Sequence, residues 1–296
     1  MRNRINQLFN SPEWNALLMP IISNPWDNFL NTIPQDLKTL KYLEGDKKFI
    51  DAYQKYLEAE AKPTSSKKNP KDDKWLKANE LHLELIPEPF EGNPEAPIYL
   101  LGGNPGYGEE GNEWHINKHY LAIMSKTLSH KYRANKDNPT DFAFFDERLD
   151  QNRGSSHDQS PRQAYGGAKW WKGHIADEIK DKIFNIEFFA YHSTKADGLK
   201  GFFSQIAKQP NLPTCISNQY ADQLIYRAIE NKKIIIITRF EKYWLERIEN
   251  LEEYDNLYIL LNHQIATVKE GNIIEYKKYK DLKSDSWSDL LNKVKP

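Results

Sequence analysis

Four short apolar runs, separated by segments in which apolar residues recur at helical spacing, constrain the fold of this chain more than any other feature. The runs cover residues 97–101, 183–189, 233–238 and 257–261. The segments that predict helices cover residues 115–129, 163–181, 218–231 (with Ser217 as its cap) and 240–249. Strands that alternate with helices form βαβ units with a parallel sheet. The sequence therefore predicts an α/β fold with a four-stranded, mainly parallel sheet flanked by helices on both faces.

The residues before the first apolar run predict a separate N-terminal part. Residues 1–60 have helical spacing, which places Phe49, Ile50, Tyr53 and Leu57 on one helix face. Residues 62–74 are rich in lysine and contain two prolines, as expected of a solvated linker or, alternatively, of a phosphate-contacting loop. We predict a helical N-terminal extension over residues 1–80 and an α/β domain over 81–285, with a polar insertion at 130–165.

Composition excludes several classes of protein and site. The 296 residues carry a net charge of -1, so DNA binding would depend on local basic patches rather than on a global positive field. The single cysteine, Cys215, excludes an intramolecular disulfide and a four-cysteine metal site, and burial is the plainer prediction for it than a nucleophilic role. No signal peptide or membrane-spanning run is present, so we expect a cytoplasmic protein.

Polar residues follow each of the four apolar runs. In a parallel sheet the carboxyl ends of the strands lie at one edge, where ligands bind. The residues delivered there are the loop from Gly102 to Gly108, then Tyr191, His192 and Ser193, then Arg239, then Asn262 and His263. The sequence therefore predicts a binding site at this edge, with Gly103, Pro105, Gly106 and Tyr107 among the substrate-binding residues.

The glycine loop after the first run has two interpretations. Glycines at this place often mark only a tight turn, and the loop has neither the Walker pattern nor the dinucleotide-binding pattern. It does hold Asn104 between glycine and proline, where an amide can orient a water or bind the edge of a base. His192 is equally compatible with a structural role. Trp170 and Trp171 favour a core position over base stacking.

No metal or other cofactor is expected. The remaining histidines that we considered have no metal-ligand spacing. These are His115, His119, His130, His157 and His174.

The residues Gly103 to Gly106 resemble the first motif of the uracil-DNA glycosylase superfamily, in its branches with a Gly-x-Asn-Pro-Gly loop. The resemblance extends to a bacterial subgroup of uracil-DNA glycosylase-like proteins and covers about residues 85–275. It is carried by Leu85 to Gly92, Ala96-Pro97, Trp170-Trp171, Phe189 to Ser193, Leu212-Pro213, Arg239 to Trp244 and Asn262 to Asn272. The first 80 residues are not covered.

The resemblance implies a DNA glycosylase that hydrolyses the N-glycosidic bond of a flipped pyrimidine. Asn104 would hold the attacking water, Asn185 would read the pyrimidine edge, and Asn262 or the neighbouring His263 would donate to the leaving base. Gly106 stands where the classical branch has a tyrosine that blocks 5-methyl groups, so a 5-substituted pyrimidine is expected. DNA is the implied partner, with a role in repair or in defence against phages.

Two other functions stay open at this level. A non-catalytic module that binds nucleic acid, a nucleotide or a protein is favoured by the neutral charge, and by His263 standing where the family has proline. A hydrolase of nucleosides or nucleotides is the third possibility, because the fold alone does not fix the substrate. No lysine lies in the first motif, so the enzyme is expected to hydrolyse its substrate without a Schiff-base lyase step.

Overall fold

The computed structural model describes residues 22–62, 71–107, 115–136, 138–146, 173–206, 215–262, 267–279 and 286–294. The helices are α1 Phe29–Thr32, α2 Lys47–Ala61, α3 Asp73–Asn79, α4 Lys118–Leu128, α5 Asp197–Ile206, α6 Ile216–Glu230, α7 Glu241–Arg247, α8 Tyr276–Tyr279 and α9 Trp287–Lys293. The strands are β1 Phe90–Gly92, β2 Ile98–Leu101, β3 Ile183–Ile186, β4 Ile234–Ile237, β5 Leu257–Leu260 and β6 Ile273–Glu275. No helix in these ranges is long and apolar enough to cross a membrane.

The sheet has the strand order β1-β3-β2-β4-β5-β6. The four strands predicted from the sequence are its centre, and they run parallel, so the α/β class is confirmed. The predicted strand number is wrong for the described residues, because β1 and β6 add an antiparallel strand at each edge. Each has only three residues, and Gly92 leaves β1 with a φ of +96°, so neither strand has a run long enough to reveal its periodicity.

Every residue of the four central strands is buried. Successive side chains of a strand point to opposite faces, so burial of all of them means that both faces of the sheet are covered. The clearest case is β4, which consists of four isoleucines and lies in the middle of the sheet. The carboxyl ends of β2, β3, β4 and β5 therefore lie at one edge of the sheet. The strands that lead to this edge are buried and mostly apolar.

The helix predictions succeed where an apolar face is long. In α2, Phe49, Ile50, Tyr53 and Leu57 are buried as predicted. The prediction of helix over residues 1–60 is wrong for residues 33–43, which are irregular. Residues 1–21 lie outside the described part of the chain. The described N-terminal residues belong to the same hydrophobic core as the sheet.

Two further helix predictions need correction. Helix α6 begins at Ile216 with Cys215 at its cap position, so Ser217 is inside the helix, where its backbone N–H donates to Asp46 Oδ1 at 3.1 Å. The predicted helix over 163–181 falls partly outside the described residues. Of its described residues, 173–174 are helical, Ile175 pairs in a parallel bridge with Val268, and residues 177–181 form turns.

The first part of the predicted insertion at 130–165 packs into the core. Phe142, Phe144 and Phe145 are buried there, and the Asn138 amide donates to the backbone oxygen of Phe142 at 2.9 Å. Residues 147–165 lie outside the described part of the chain.

Candidate active site at the carboxyl ends of the parallel strands

The order of the central strands creates a switch point between β2 and β4. The chain leaves β2 for β3 on one side, and it later returns to pair β4 on the other side of β2. Crevices at such points are the usual ligand sites of open parallel sheets. Here the switch point brings the loop that begins at Gly102 next to the β4 end at Arg239.

The loop after β2 is braced from both neighbouring strand ends. The indole Nε1 of Trp244 donates to Gly102 O at 2.8 Å, and the backbone N–H of Phe189 donates to Gly103 O at 2.9 Å. An ideal Cβ on Gly103 would lie 3.0 Å from the Phe240 ring, so a larger residue would push the two loops apart. The braces hold the backbone of the following residue, Asn104, in a fixed place.

The Asn104 amide is held by two hydrogen bonds from its nitrogen. Nδ2 donates to Ser193 Oγ at 2.9 Å and to Pro105 O at 3.0 Å. The Ser193 hydroxyl donates onward to Lys195 O at 2.8 Å, so it faces Asn104 as an acceptor. Since a backbone carbonyl only accepts, these contacts fix which end of the amide is nitrogen. The carbonyl oxygen Oδ1 of the partly exposed side chain is then the atom that can accept from a water.

Gly106 is exposed, and the fold does not require a glycine there. An ideal Cβ at this position meets no atom of the described residues within 4 Å, and its φ lies outside the left-handed region. Its backbone forms a parallel bridge with Ser193. The next residue, Tyr107, stacks on the His82 ring with 3.2 Å between ring centroids. The open space at Gly106 therefore lies in the same loop as Asn104, two residues further along the chain.

Glu187, the first residue after β3, places its carboxyl group against the glycine loop. An ideal Cβ on Gly102 would lie 2.7 Å from Cδ of Glu187, so only glycine permits this approach. The Gly103 N–H donates to the carboxylate, and Asn185 Nδ2 donates to its Oε1 at 2.9 Å. Three strand ends thus meet at one carboxyl group, because Arg239 from the end of β4 also acts on it electrostatically.

The surroundings of Glu187 raise the pKa of its carboxyl group to about 7. Burial among protein atoms is the largest cause, and the negative charge of Glu88 adds to it. The hydrogen bonds from Asn185 and Gly103 and the charge of Arg239 act in the opposite direction. A carboxyl group with a pKa near neutrality can donate or accept a proton at physiological pH.

Tyr191 and His192, both predicted to bind substrate, are buried and hydrogen-bonded to the protein. The Tyr191 hydroxyl donates to Asp46 Oδ2 at 2.7 Å and accepts from the Leu43 N–H at 3.1 Å. His192 lies between two backbone oxygens, with Nδ1 2.9 Å from Gly106 O and Nε2 2.9 Å from Ile86 O. These side chains position the loop, since the polar atoms that a ligand would contact are already used by the fold.

Glu88, His115 and His192 bring three metal-ligand atoms within 4.8 Å of one another. Their hydrogen bonds argue against a metal in this arrangement. His115 Nδ1 accepts from the Ile86 N–H at 3.3 Å, both nitrogens of His192 face backbone oxygens, and Glu88 Oε1 accepts from the Tyr120 hydroxyl at 2.9 Å. A metal needs a ring nitrogen with an available lone pair, so it would have to displace these backbone contacts.

The predicted residues at the far end of the site are more distant from Asn104. Asn262 is exposed, and its backbone N–H donates to Asn272 Oδ1 at 2.7 Å. It follows β5, which lies two strands from β2 and thus about 10 Å away at the usual strand spacing. His263 lies outside the described residues. Asn104, Ser193, Asn185 and Arg239 are therefore the predicted residues that the structure brings together.

Sequence reasoning missed Glu187. Glu187 lies inside the apolar run at 183–189, which was interpreted as one continuous strand. The strand ends at Ile186, so Glu187 is a strand-end residue like the others. The position of Glu187 directly after the β3 pattern was the available signal. Comparison of the chain with protein-family models, with curated proteins and with solved structures found no significant match.

Proposed function

We propose that this protein is a monofunctional DNA glycosylase that hydrolyses the N-glycosidic bond of a flipped, 5-substituted pyrimidine. The observation that carries the proposal is the Asn104 amide, fixed by Ser193 Oγ and Pro105 O beside the switch point of a parallel sheet. The resemblance of Gly103 to Gly106 to the glycosylase motif gives this amide its role. Repair, or defence against phage DNA with modified pyrimidines, would be the setting.

Asn104 would act by positioning. Its Oδ1 accepts a proton of the attacking water and holds the water oxygen towards the sugar carbon as the base departs. An amide is too weak a base to remove that proton, so catalysis depends on orientation and on stabilisation of the positive charge that develops on the sugar. The fixed amide suits this role, because its nitrogen is already held by the protein.

The space at Gly106 supports a pyrimidine with a substituent at carbon 5. An ideal Cβ on Gly106 would meet no atom of the described residues within 4 Å, which leaves space for a substituent on a base. Gly106 lies two residues after Asn104 in the same loop. Tyr107, which stacks on His82, directly follows Gly106 in this loop.

Basic side chains near the loop supply the contacts that a DNA backbone requires. Lys195 is exposed two residues beyond Ser193, and Lys200 Nζ lies 5.2 Å from the centroid of the Phe240 ring that packs on Gly103. With Arg239 they provide three cations at one side of the site. Because the chain has a net charge of -1, binding to DNA would depend on a local basic patch, and these three side chains would form one.

A non-catalytic module that binds nucleic acid is the second candidate. The net charge of -1 favours it, since no field of the whole protein would draw substrate in. The exposure of Asn262 also favours it, because a group that donates to a leaving base should be shielded from water. Binding without release of a base would be its signature.

The test is a base-release assay on single-stranded and duplex oligonucleotides that carry cytosine, uracil and their 5-hydroxymethyl derivatives at one position. We expect alkali-labile abasic sites at the modified position with the parent protein, and none in the same time with Asn104→Ala. Asn231→Ala, which removes an exposed amide at the end of α6, is the matched control and should keep full activity. If the protein binds the oligonucleotides but forms no abasic site in any of them, the non-catalytic module is favoured. If it releases bases from free nucleosides but not from oligonucleotides, a nucleoside hydrolase is favoured.

A further inference from the structure

Glu187 and Asn185 form a hydrogen-bonded polar pair at the carboxyl end of β3. Burying a carboxyl group costs free energy, and an apolar residue after β3 would avoid that cost. The chain instead provides Gly102, whose missing Cβ admits the carboxyl group, and directs the Gly103 N–H to it. Gly102 and Gly103, in the loop after β2, thus both accommodate the Glu187 side chain, which follows β3.

The pair lies beside the residue that would hold the water. Gly103, which donates to the Glu187 carboxylate, directly precedes Asn104, and consecutive Cα atoms are about 3.8 Å apart. Glu187 is itself only partly buried, unlike the four residues of β3 that precede it. Gly103 thus connects the two residues, because it is bonded to Asn104 in the chain and donates its N–H to Glu187.

We propose that Glu187, oriented by Asn185, reads the Watson–Crick edge of the flipped base and selects a pyrimidine with a 4-amino group, that is, a cytosine-type base. The inference rests on the proposed function. A carboxylate accepts from the exocyclic amino group of cytosine, whereas it would face the O4 acceptor of uracil with like partial charge. Asn185 fixes the orientation of the carboxylate, since its Nδ2 donates to Oε1.

The same group can complete the reaction. In its protonated form Glu187 donates its proton to N3 of cytosine while the bond between N1 and the sugar carbon breaks and the electron pair passes to N1. The water oxygen bonds to the sugar carbon, and the proton that the water loses restores Glu187 through solvent. The products are an abasic strand and neutral cytosine, so the step consumes only water. A pKa of about 7 makes both forms of Glu187 available near neutral pH.

The charged groups that face Glu187 set the direction of its pH dependence. Glu88 raises its pKa, and Arg239 lowers it. The protonated form exists below the pKa, so release of cytosine-type bases should decline as the pH rises through about 7. The protonated acid can also pair with uracil, so discrimination against uracil should be sharpest above that pH.

The test compares release of 5-hydroxymethylcytosine and 5-hydroxymethyluracil from otherwise identical oligonucleotides at pH 6 and pH 8.5. We expect the parent to favour the cytosine derivative by about 10- to 100-fold at pH 8.5 and by less at pH 6. Glu187→Gln should lose most of this preference, because a glutamine amide both donates and accepts and can pair with either base. Glu246→Gln, on the exposed face of α7, is the matched control.

The outcomes separate the two proposals. Equal release of both bases by the parent, or preference for the uracil derivative, would overturn the inference and leave the glycosylase function standing. The inference would also fail if Glu187→Gln kept the preference of the parent. Release of neither base, nor of any other pyrimidine in the panel, would overturn the proposed function and the inference with it.

Discussion

Two polar clusters lie at the carboxyl ends of β2 and β3, and they differ in what their polar atoms contact. In the first, Tyr191 and His192 are buried, and their hydrogen bonds go to Asp46 and to backbone groups. In the second, Glu187 and Asn104 are only partly buried. A polar residue at a strand end is thus a site residue only when the fold leaves it an accessible atom.

The comparison predicts that the two clusters respond oppositely to mutation. The largest expected effect is on activity at Asn104. Asn104→Ala should lower the rate of base release by about 10²- to 10³-fold, because the water loses its positioning group. Its free energy of unfolding should change by less than about 1 kcal/mol, since the Ser193 hydroxyl keeps its bond to Lys195 O. Single-turnover kinetics and urea unfolding measure the two quantities, and a large loss of stability with unchanged activity would place Asn104 in the structural cluster.

The next effect is on stability, in the other cluster. Asp46→Ala removes the acceptor of the Tyr191 hydroxyl and of the Ser217 N–H, and should cost about 3 kcal/mol in urea unfolding. Asp51→Ala, in an exposed pair with Lys47, is the control and should cost less than about 0.5 kcal/mol. Base release by the folded fraction of Asp46→Ala should match the parent. A stability change as small as that of the control would mean that this cluster is not structural.

A smaller effect is expected on substrate preference at Gly106. Gly106→Tyr should reduce release of 5-substituted pyrimidines relative to unsubstituted ones by about 10- to 100-fold, because the ring occupies the space for the substituent. Gly106→Ala should change little, since its methyl group meets no atom within 4 Å. An unchanged preference in Gly106→Tyr would show that the substituent lies elsewhere.

The last expected effect is a pH-dependent change in stability at Glu187. Because the folded protein raises the pKa of this carboxyl group from 4.5 to about 7, the folded state binds the proton more tightly than the unfolded state. The parent therefore loses stability as the pH rises from about 4.5 to about 7, and Glu187→Gln does not lose this contribution. The variant should be more stable than the parent at pH 8 by about 3 kcal/mol, with the difference vanishing near pH 4. Urea unfolding at the two pH values checks the sign.

The sequence reveals the sheet better than it reveals the site. The isoleucines of β4 and the apolar residues of β2 identify the central strands, because burial on both faces leaves a continuous apolar run. Asn104 is equally visible, since it lies in a glycine loop directly after a strand. Glu187 is hidden, because its role depends on the pairing of β2 with β3, which brings Gly102 to it from 85 residues earlier in the chain.

The structural histidines were hidden for the same reason. His192 and His115 meet only because both hydrogen-bond the backbone of Ile86, so their roles come from long-range packing rather than from spacing along the chain. Local pattern likewise gives no means to separate Tyr191, which the fold uses, from Ser193, which orients Asn104.

The most direct test of the account is hydrolysis in water enriched in ¹⁸O, with an oligonucleotide that carries a single 5-hydroxymethylcytosine. Mass spectrometry of the products should show free base and an intact abasic strand that carries one ¹⁸O atom. Asn104→Ala should form neither within the same time. An unaltered strand after prolonged incubation with the folded parent protein, on this base and on the uracil derivative, would contradict the account.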